Sequence, residues 1–480
     1  MMKSRREFLR AALGSGALLL TAACTQSTTQ PAPTTAPAAQ PTTAVAAKPT
    51  TAAAAQPTAA AAAKPTEAAA PKTTAPANLE GATVSLLQWN HFIPSADPFF
   101  KQQAEDWGKQ TRADVTVETI NGNDLVPRFT AALQGQSGPT IFQMQHLQPH
   151  TFAEGMLDLS DIAAEVESKF GKFYEQVRSS GFVADKYRGI PYNIVGNAFV
   201  YRKSMLTAAG ATAPKTWDEF REMAKKLKAT GKPAGQTFGQ TFGDAPSFFY
   251  PLMWAFGGKE LQEDGKTVAI NSKETIDAVK FGAALWDDGL DARGLSWDDN
   301  NNNAAFLAEE ISVTLNGASI FFVGAGLDGK TPAKPWAADM DHFLVPSGPA
   351  GQFAWYTAFT HGIPTYVKGK DLDAAKEYLR YVYDPKQFDA WFDENKGYSV
   401  GPGDRLESHP MWSSLPAPLA PFRTAGKLAR ALGYAGQPSP KVGEVQSRYV
   451  IVNMFARAVS GTSAEDSVKQ AETEMKQIFA

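Results

Sequence analysis

Four stretches of the chain carry apolar residues at the spacing of an amphipathic helix. In the first of them, the apolar residues from Trp217 to Leu227 fall on one side of a helix. Thr216 stands directly before this stretch and Glu219 follows three residues later, which is the spacing of a capping box. The predicted helices lie within residues 216–233, 271–289, 372–385 and 463–479.

Short runs rich in β-branched and aromatic residues lie between these helices and predict strands. Strands that alternate with helices favour parallel sheets covered on both faces, so we expect an α/β fold. In such sheets, ligands bind beyond the carboxyl ends of the strands. The predicted strands cover residues 82–89, 114–120, 140–144, 197–202, 311–315 and 342–346.

Residues 1–23 have the pattern of an export signal. Arg5 and Arg6 form a twin arginine before an apolar run that is too short to span a bilayer. The small residues Ala22 and Ala23 precede Cys24, the only cysteine in 480 residues. This order resembles a lipobox, although Thr21 stands where leucine is commonest. We therefore expect a lipid on Cys24 that anchors the protein to the outer face of the membrane; a plain signal peptide with an incidental cysteine is the alternative.

Residues 24–78 predict a lipid anchor followed by a disordered linker. From residue 25 to 77 the chain is built almost entirely of Ala, Pro, Thr and Gln and contains no aromatic residue. Such a segment cannot bury enough apolar area to offset its ordering entropy. The remaining body, residues 79–480, is longer than one hydrophobic core normally organises, so we expect two lobes.

Residues 187–231 resemble the extracellular solute-binding proteins of ABC importers, in particular the sugar-binding group that includes maltose-binding protein. Later segments continue the resemblance: Asn316 and Gly317 fit the family's strand that returns between lobes, but Ser319 replaces the usual tryptophan. The residues that carry the resemblance are Pro191, Tyr192, Tyr201, Arg202, Lys203, Ala209, Gly210, Pro214, Thr216, Trp217 and Glu219.

The resemblance implies two doubly wound α/β lobes joined by hinge crossings, with a ligand cleft between them. It places crossings near "PYNI", "LNGA" and "PTYVKG". Lobe 1 would comprise residues 79–192 and 317–366, and lobe 2 residues 193–316 and 367–480. The implied function is capture of a mono- or oligosaccharide and its delivery to ABC permease subunits by a monomeric receptor.

A sugar cleft needs aromatic faces for the rings and amides, carboxylates or imidazoles for the hydroxyls. After the first strand we expect Asn90 and His91 to face the cleft, with Trp89 in the core. Trp217 and Trp286 lie on helix stripes and are expected in the core. The candidate ligand-binding residues are Asn90, His91, Gln145, His146, Tyr192, Asn193, Trp254, Asn316, Trp355, Tyr356 and Tyr398.

Composition and motifs argue against several other functions. The formal net charge is −3 and no basic tract follows Arg10, so nucleic acid is not an expected partner. The six histidines show no metal-binding spacing, and no nucleophile-elbow, zincin or P-loop motif is present, so neither metal, cofactor nor catalysis is expected. A receptor for another solute such as a glycerol phosphate ester, a surface-anchored glycosidase, and an adhesin or sensor remain as alternatives.

The lipid anchor leads to a first prediction. Cys24→Ala should release the protein from membranes, because the thiol of Cys24 is the expected acylation site. Membrane fractionation at high salt measures the partition, and Thr25→Ala, which keeps the thiol, is the matched control. Retention of the Cys24→Ala protein on membranes would contradict the lipoprotein assignment.

Overall fold

The computed structural model describes residues 78–480; the predicted signal, Cys24 and the linker lie outside the described residues. The described chain is mixed α/β, as predicted. The strands are β1 Thr83–Trp89, β2 Asp114–Ile120, β3 Ile141–Gln145, β4 Phe182–Val183, β5 Lys186–Tyr187, β6 Ile190–Val195, β7 Ala198–Arg202, β8 Val313–Asn316, β9 Met340–Phe343, β10 Thr357–Gly362 and β11 Ser399–Val400.

Helices surround these strands and include all four predicted ones. They are α1 Ala96–Thr111, α2 Gly122–Gly135, α3 Gln148–Thr151, α4 Ser160–Phe170, α5 Glu175–Gly181, α6 Lys203–Ala208, α7 Trp217–Ala229, α8 Asp244–Phe256, α9 Lys273–Gly289, α10 Asn301–Leu307, α11 Ser319–Gly324, α12 Gly369–Val382, α13 Pro385–Glu394, α14 Met411–Ser414, α15 Pro440–Ser447, α16 Val450–Val459 and α17 Ala464–Phe479.

The larger sheet has six strands in the order β11-β6-β10-β3-β1-β2. β1 pairs in parallel with both β2 and β3, whereas β10 runs antiparallel to β3 and β6. β11 runs antiparallel to β6. The carboxyl ends of β1, β3 and β6 and the amino ends of β10 and β11 therefore lie on the same edge of this sheet.

The smaller sheet has three strands in the order β8-β7-β9, all antiparallel. Ala234 extends it with a parallel bridge to Val313 of β8. Helices α7, α8 and α9 pack together beside this sheet, and α16 packs on α8 and α9. Trp217 of α7 and Trp254 of α8 are buried there, so this layer is the apolar core of the smaller sheet.

The course of the chain between the two sheets differs from the expected one. "PYNI" does not cross; it forms part of β6, and the chain passes to the smaller sheet between Val195 and Ala198. After β8 the chain does not return, because β9 still pairs with β7. The helix after "PTYVKG", α12, packs on β1 of the larger sheet. All six residues from 190 to 195 are buried, as in an inner strand of a sheet covered on both faces rather than in a hinge.

These pairings suggest different lobe boundaries. We propose that the first lobe comprises residues 79–195 and 357–400, and that the second begins with residues 198–343. The C-terminal helices α16 and α17 pack on α9 and so belong with the second lobe. The expected boundary at 366/367 would separate β10 from the helix that covers its own sheet.

The start of α7 provides a stability test. The Thr216 hydroxyl accepts a hydrogen bond from the Glu219 backbone N–H, and the Glu219 carboxylate accepts one from Thr216 N, which confirms the predicted capping box. Thr216→Ala should lower the free energy of unfolding by about 1 kcal/mol, because it leaves the Glu219 backbone N–H without its cap. Denaturant titration measures this loss. Thr207→Ala, on exposed α6, is the control and should change stability by less than about 0.5 kcal/mol; equal effects would contradict the capping role.

Candidate functional site

Side chains from five strands meet at one edge of the six-stranded sheet. Trp89 ends β1, Gln145 ends β3 and Val195 ends β6. Thr357, at the start of β10, lies opposite Val195 in the sheet register, and Tyr398 directly precedes β11. Because the strand directions bring these ends together, residues far apart in sequence form one surface.

The second lobe faces this edge with the start of α8 and the end of β8. Asn316 is the last residue of β8 and pairs with Ala198 at the start of β7. Gly317 follows it, and a β-carbon at this position would lie 3.0 Å from Tyr398 Cε2. The glycine therefore allows the backbone of the second lobe to approach the aromatic surface of the first.

The two surfaces enclose a cavity, called here the central cavity. Its volume is about 30 Å³, which is enough for a water molecule or two but below the size of a ligand pocket. A sugar ring can therefore enter only if the lobes separate. The lining residues of the central cavity are Trp89, Phe92, Val195, Asn197, Phe242, Gly243, Asp244, Asp299, Asn303, Asn316, Gly317, Ser319, Thr357 and Tyr398.

The first lobe forms an aromatic wall of the central cavity. The Trp89 ring stacks on Phe359, with centroids 5.1 Å apart and planes at 23°. Tyr398 lies nearly parallel to Trp89 at 6.4 Å, and Phe92 meets the Trp89 ring edge at 5.5 Å. Rings held in this way by packing present a rigid apolar surface on which the face of a sugar ring can lie.

The second lobe forms a polar wall of amides and carboxyl groups. Asp244 Oδ2 accepts hydrogen bonds from Asn302 Nδ2 at 2.7 Å and Asn316 Nδ2 at 3.2 Å. Asn316 Nδ2 also donates to Asn303 Oδ1 at 2.6 Å. Burial, followed by the nearby charge of Asp299, raises the pKa of Asp244 well above its usual range.

Asp299 stabilises the first turn of α8. Its carboxylate accepts hydrogen bonds from the backbone N–H groups of Gly243 at 3.3 Å and Asp244 at 2.9 Å. These groups lie at the positive end of the helix. Burial raises the pKa of Asp299, and these hydrogen bonds, together with one from Thr241, oppose that rise.

A second space, called here the lateral cavity, lies beside the central one and has a volume of about 310 Å³. Phe242 lines both cavities. Gln145 and His146, both predicted site residues, line the lateral cavity on the first-lobe side. The Gln145 side-chain nitrogen is buried and has no hydrogen-bond partner among the described residues.

His146 connects the two lobes. Its Nε2 lies 3.0 Å from the backbone carbonyl oxygen of Phe242, and only a ring N–H can make this bond, since the carbonyl oxygen only accepts. Burial lowers the pKa of His146 to about 3, so the ring is neutral and carries its proton on Nε2. Trp355 stacks behind it at 4.6 Å.

Three other predicted residues lie behind the aromatic wall. His91, Tyr192 and Asn193 line a small space of about 10 Å³, together with Trp89. His91 Nδ1 accepts a hydrogen bond from the Ile93 backbone at 2.9 Å, and burial lowers the pKa of His91 to about 3. This places the His91 imidazole under Tyr398, 4.9 Å away, rather than in the central cavity.

The remaining predicted residues lie outside both cavities. Asn90 is exposed, while Trp254, Trp355 and Tyr356 are 0–2% exposed. Trp254 Nε1 donates to Glu260 Oε2 at 2.7 Å in the core of the second lobe. Asn316 and Tyr398 are the two predicted residues that line the central cavity.

The sequence prediction did not include most of the polar wall. Trp89 is buried in the core, as expected, and it also lines the central cavity. Asp244 and Asp299 are not among the candidate residues selected from the sequence. The available signal was Asp244 at the start of a strongly apolar helix, because an acidic side chain there faces the helix N-terminus.

A larger groove of about 1090 Å³ lies along α2, α3 and α5 and residues 437–440. This groove does not include Trp89, Gln145 or Tyr398 at the edge of the six-stranded sheet. Thr151 is the one residue that it shares with the lateral cavity. We place the ligand site between the lobes instead, because aromatic faces and convergent polar groups meet there.

Two further observations concern residues 78–480. They contain no group of histidine, cysteine or acidic side chains arranged to hold a metal ion. No helix within this range has both the length and the apolar character that a membrane span requires.

Residues 93–387 match the family described as bacterial extracellular solute-binding protein. This match covers more than half of the chain, and the chain therefore belongs to that family, as the sequence resemblance predicted. Membership of this family implies that the protein is exported.

Individual relatives agree with this assignment. The diacetylchitobiose binding protein DasA of Streptomyces coelicolor is 24% identical over 406 residues, which is 82% of this chain and 90% of DasA. The GacH receptor of Streptomyces glaucescens, solved unliganded and with acarbose, has 20% identity and a TM-score of 0.69 over 83% of this chain and 98% of GacH. Maltose-bound MalE3 of T. maritima has 19% identity and a TM-score of 0.69 over 83% and 100%. These structures share the two-lobed clamp fold.

The roles of Trp89 and His91 can be separated experimentally. Trp89→Leu should raise the dissociation constant of the ligand about tenfold or more, because it removes a flat wall of the central cavity. His91→Gln, behind that wall, should change it by less than about threefold. Calorimetry on the folded proteins measures both constants, with thermal unfolding as a check on stability. The reverse order would restore the expectation that His91 contacts the ligand.

Proposed function

We propose that this protein is a lipid-anchored receptor that binds a mono- or oligosaccharide between its lobes and delivers it to ABC permease subunits. The observation that carries the proposal is the pairing of an aromatic wall, Trp89 and Tyr398, with a polar wall that includes Asp244, Asn303 and Asn316. Sugars present apolar faces and many hydroxyl groups, and this pairing fits both. The family assignment and the sugar-binding relatives support the same function.

The geometry favours a carrier over a glycosidase. Glycoside hydrolysis commonly uses two carboxyl groups that flank the scissile bond. Here Asp244 and Asp299 share one wall, and the Asp244 backbone N–H donates to Asp299 Oδ1 at 2.9 Å. The opposite wall presents Trp89, Phe92 and Tyr398, and no carboxyl group of the first lobe lines the cavity among the described residues.

The cavity also argues against an anionic ester as the ligand. Among the described residues that line the central cavity there is no lysine, arginine or histidine. A phosphate group would therefore be desolvated without a counter-charge and next to two carboxyl groups, which is unfavourable. This supports a sugar rather than a glycerol phosphate ester.

Titration of the purified protein with maltose, laminaribiose and diacetylchitobiose tests the proposal. We expect saturable binding of a sugar without cleavage products. Because the central cavity holds only about 30 Å³, the lobes must open to admit the sugar and close on it. We expect the ligand-free protein in solution to populate the open form, so solution scattering should show a smaller radius of gyration with the bound sugar than without it.

Two outcomes would contradict this proposal. Release of monosaccharides during the titration would favour the glycosidase. Tight binding with an unchanged radius of gyration would argue against a clamp. Glycerol 3-phosphate serves as the anionic control and should not bind.

A further inference from the structure

The central cavity places two carboxyl groups side by side without a basic partner. Asp244 and Asp299 both line it, and the lining contains no lysine, arginine or histidine among the described residues. Buried carboxyl groups are normally paired with a cation or neutralised. Resting on the sugar-binding function proposed above, we propose that the ligand is a saccharide with a basic amino group, whose ammonium is bound by Asp244.

The carboxylate of Asp299 already has hydrogen-bond donors within the protein. It accepts hydrogen bonds from the backbone of Gly243 and Asp244 at the start of α8. These bonds and the helix N-terminus stabilise its negative charge. Asp299 therefore contributes a fixed negative charge next to the ligand position rather than a free binding group.

One oxygen of the Asp244 carboxyl group has no hydrogen-bond donor among the described residues. Asp244 is only 8% exposed, and Oδ2 accepts from the side-chain amides of Asn302 and Asn316. Oδ1 accepts no hydrogen bond from the residues that the structure describes. Asp244 lines the central cavity, so an oxygen of its carboxyl group that lacks a donor can accept a hydrogen bond from a ligand.

The charges around Asp244 favour an ammonium over a hydroxyl as that donor. The charged groups that act on Asp244 are Asp299 and the exposed Asp298, both negative, and across the cavity it faces the phenol of Tyr398. A hydroxyl group supplies a hydrogen bond but no positive charge, so beside it Asp244 stays protonated. An ammonium group supplies both, and the rings of Trp89 and Tyr398, which line the same cavity, also attract a cation.

This arrangement predicts a proton released on binding. Repulsion and burial favour the protonated form of the Asp244 carboxyl group in the empty cavity. When the ammonium group approaches, the carboxyl group loses its proton to solvent and forms an ion pair, while the ligand keeps its charge. A neutral sugar leaves the proton in place.

The test uses matched disaccharides that differ only in the substituent on carbon 2 of each ring. One set consists of the β-1,4-linked disaccharides of glucosamine, N-acetylglucosamine and glucose, which carry an ammonium, an acetamide and a hydroxyl group, respectively. A second set consists of the α-1,4-linked disaccharides of glucosamine and glucose. At about pH 6 the amino group is protonated. We expect at least one amino disaccharide to bind ten times or more as tightly as its hydroxyl partner, with a proton released in calorimetry in two buffers of different ionisation enthalpy.

Two variants show whether Asp244 causes the preference for the amino disaccharide. Asp244→Asn should remove the preference for the amino disaccharide, whereas Asp298→Asn, which removes an exposed neighbouring charge outside the cavity lining, should keep it. Equal or tighter binding of hydroxyl or acetamide sugars by the unmodified protein, without proton release, would overturn this inference and leave the proposed function intact. If no saccharide binds, both this inference and the proposed function are contradicted. The proton release of the unmodified protein decides the question even if Asp244→Asn does not fold.

Discussion

The directions of the strands in the six-stranded sheet determine where this protein can bind a ligand. Four strands end and two begin at the same edge, so Trp89, Gln145 and Tyr398 lie along one edge although they are far apart in sequence. The backbone hydrogen bonds of the sheet hold these positions, and rings that pack on Phe359 and each other fix the side chains. Rigid elements of this kind present a binding surface at little entropic cost when the ligand arrives.

The second lobe completes the site with the N-terminus of α8 and the carboxyl groups that lie beside it. The start of α8 concentrates backbone N–H groups, and these attract the carboxylate of Asp299. Asp244, at the first position of the same helix, is then held by amides from α10 and β8. The first lobe therefore supplies apolar area, and the second supplies hydrogen-bonding groups and negative charge.

Sequence patterns predicted the elements of this fold well but the site only in part. The amphipathic helices α7, α9, α12 and α17 were evident because one face of each is apolar at a regular spacing. The resemblance placed a crossing in β6, whereas its six residues are all buried and the strand lies inside the sheet between β11 and β10. Trp254 was a candidate cleft residue and Trp89 was assigned to the core, and only the packing shows that Trp254 bonds to Glu260 while Trp89 lines the cavity. Asp299 stands in a polar stretch that looks like any exposed loop, so its burial depends on contacts more than fifty residues away.

Gly317 limits how the sequence of this protein can vary. Its missing side chain lets the loop after β8 rest against the ring of Tyr398, where a β-carbon would come within 3.0 Å. A methyl group there would press on Tyr398 and hold the two lobes further apart, and because Gly317 lines the central cavity it would also narrow the space beside the ring. The absence of a side chain at this one position therefore sets how closely the two walls can approach a ligand.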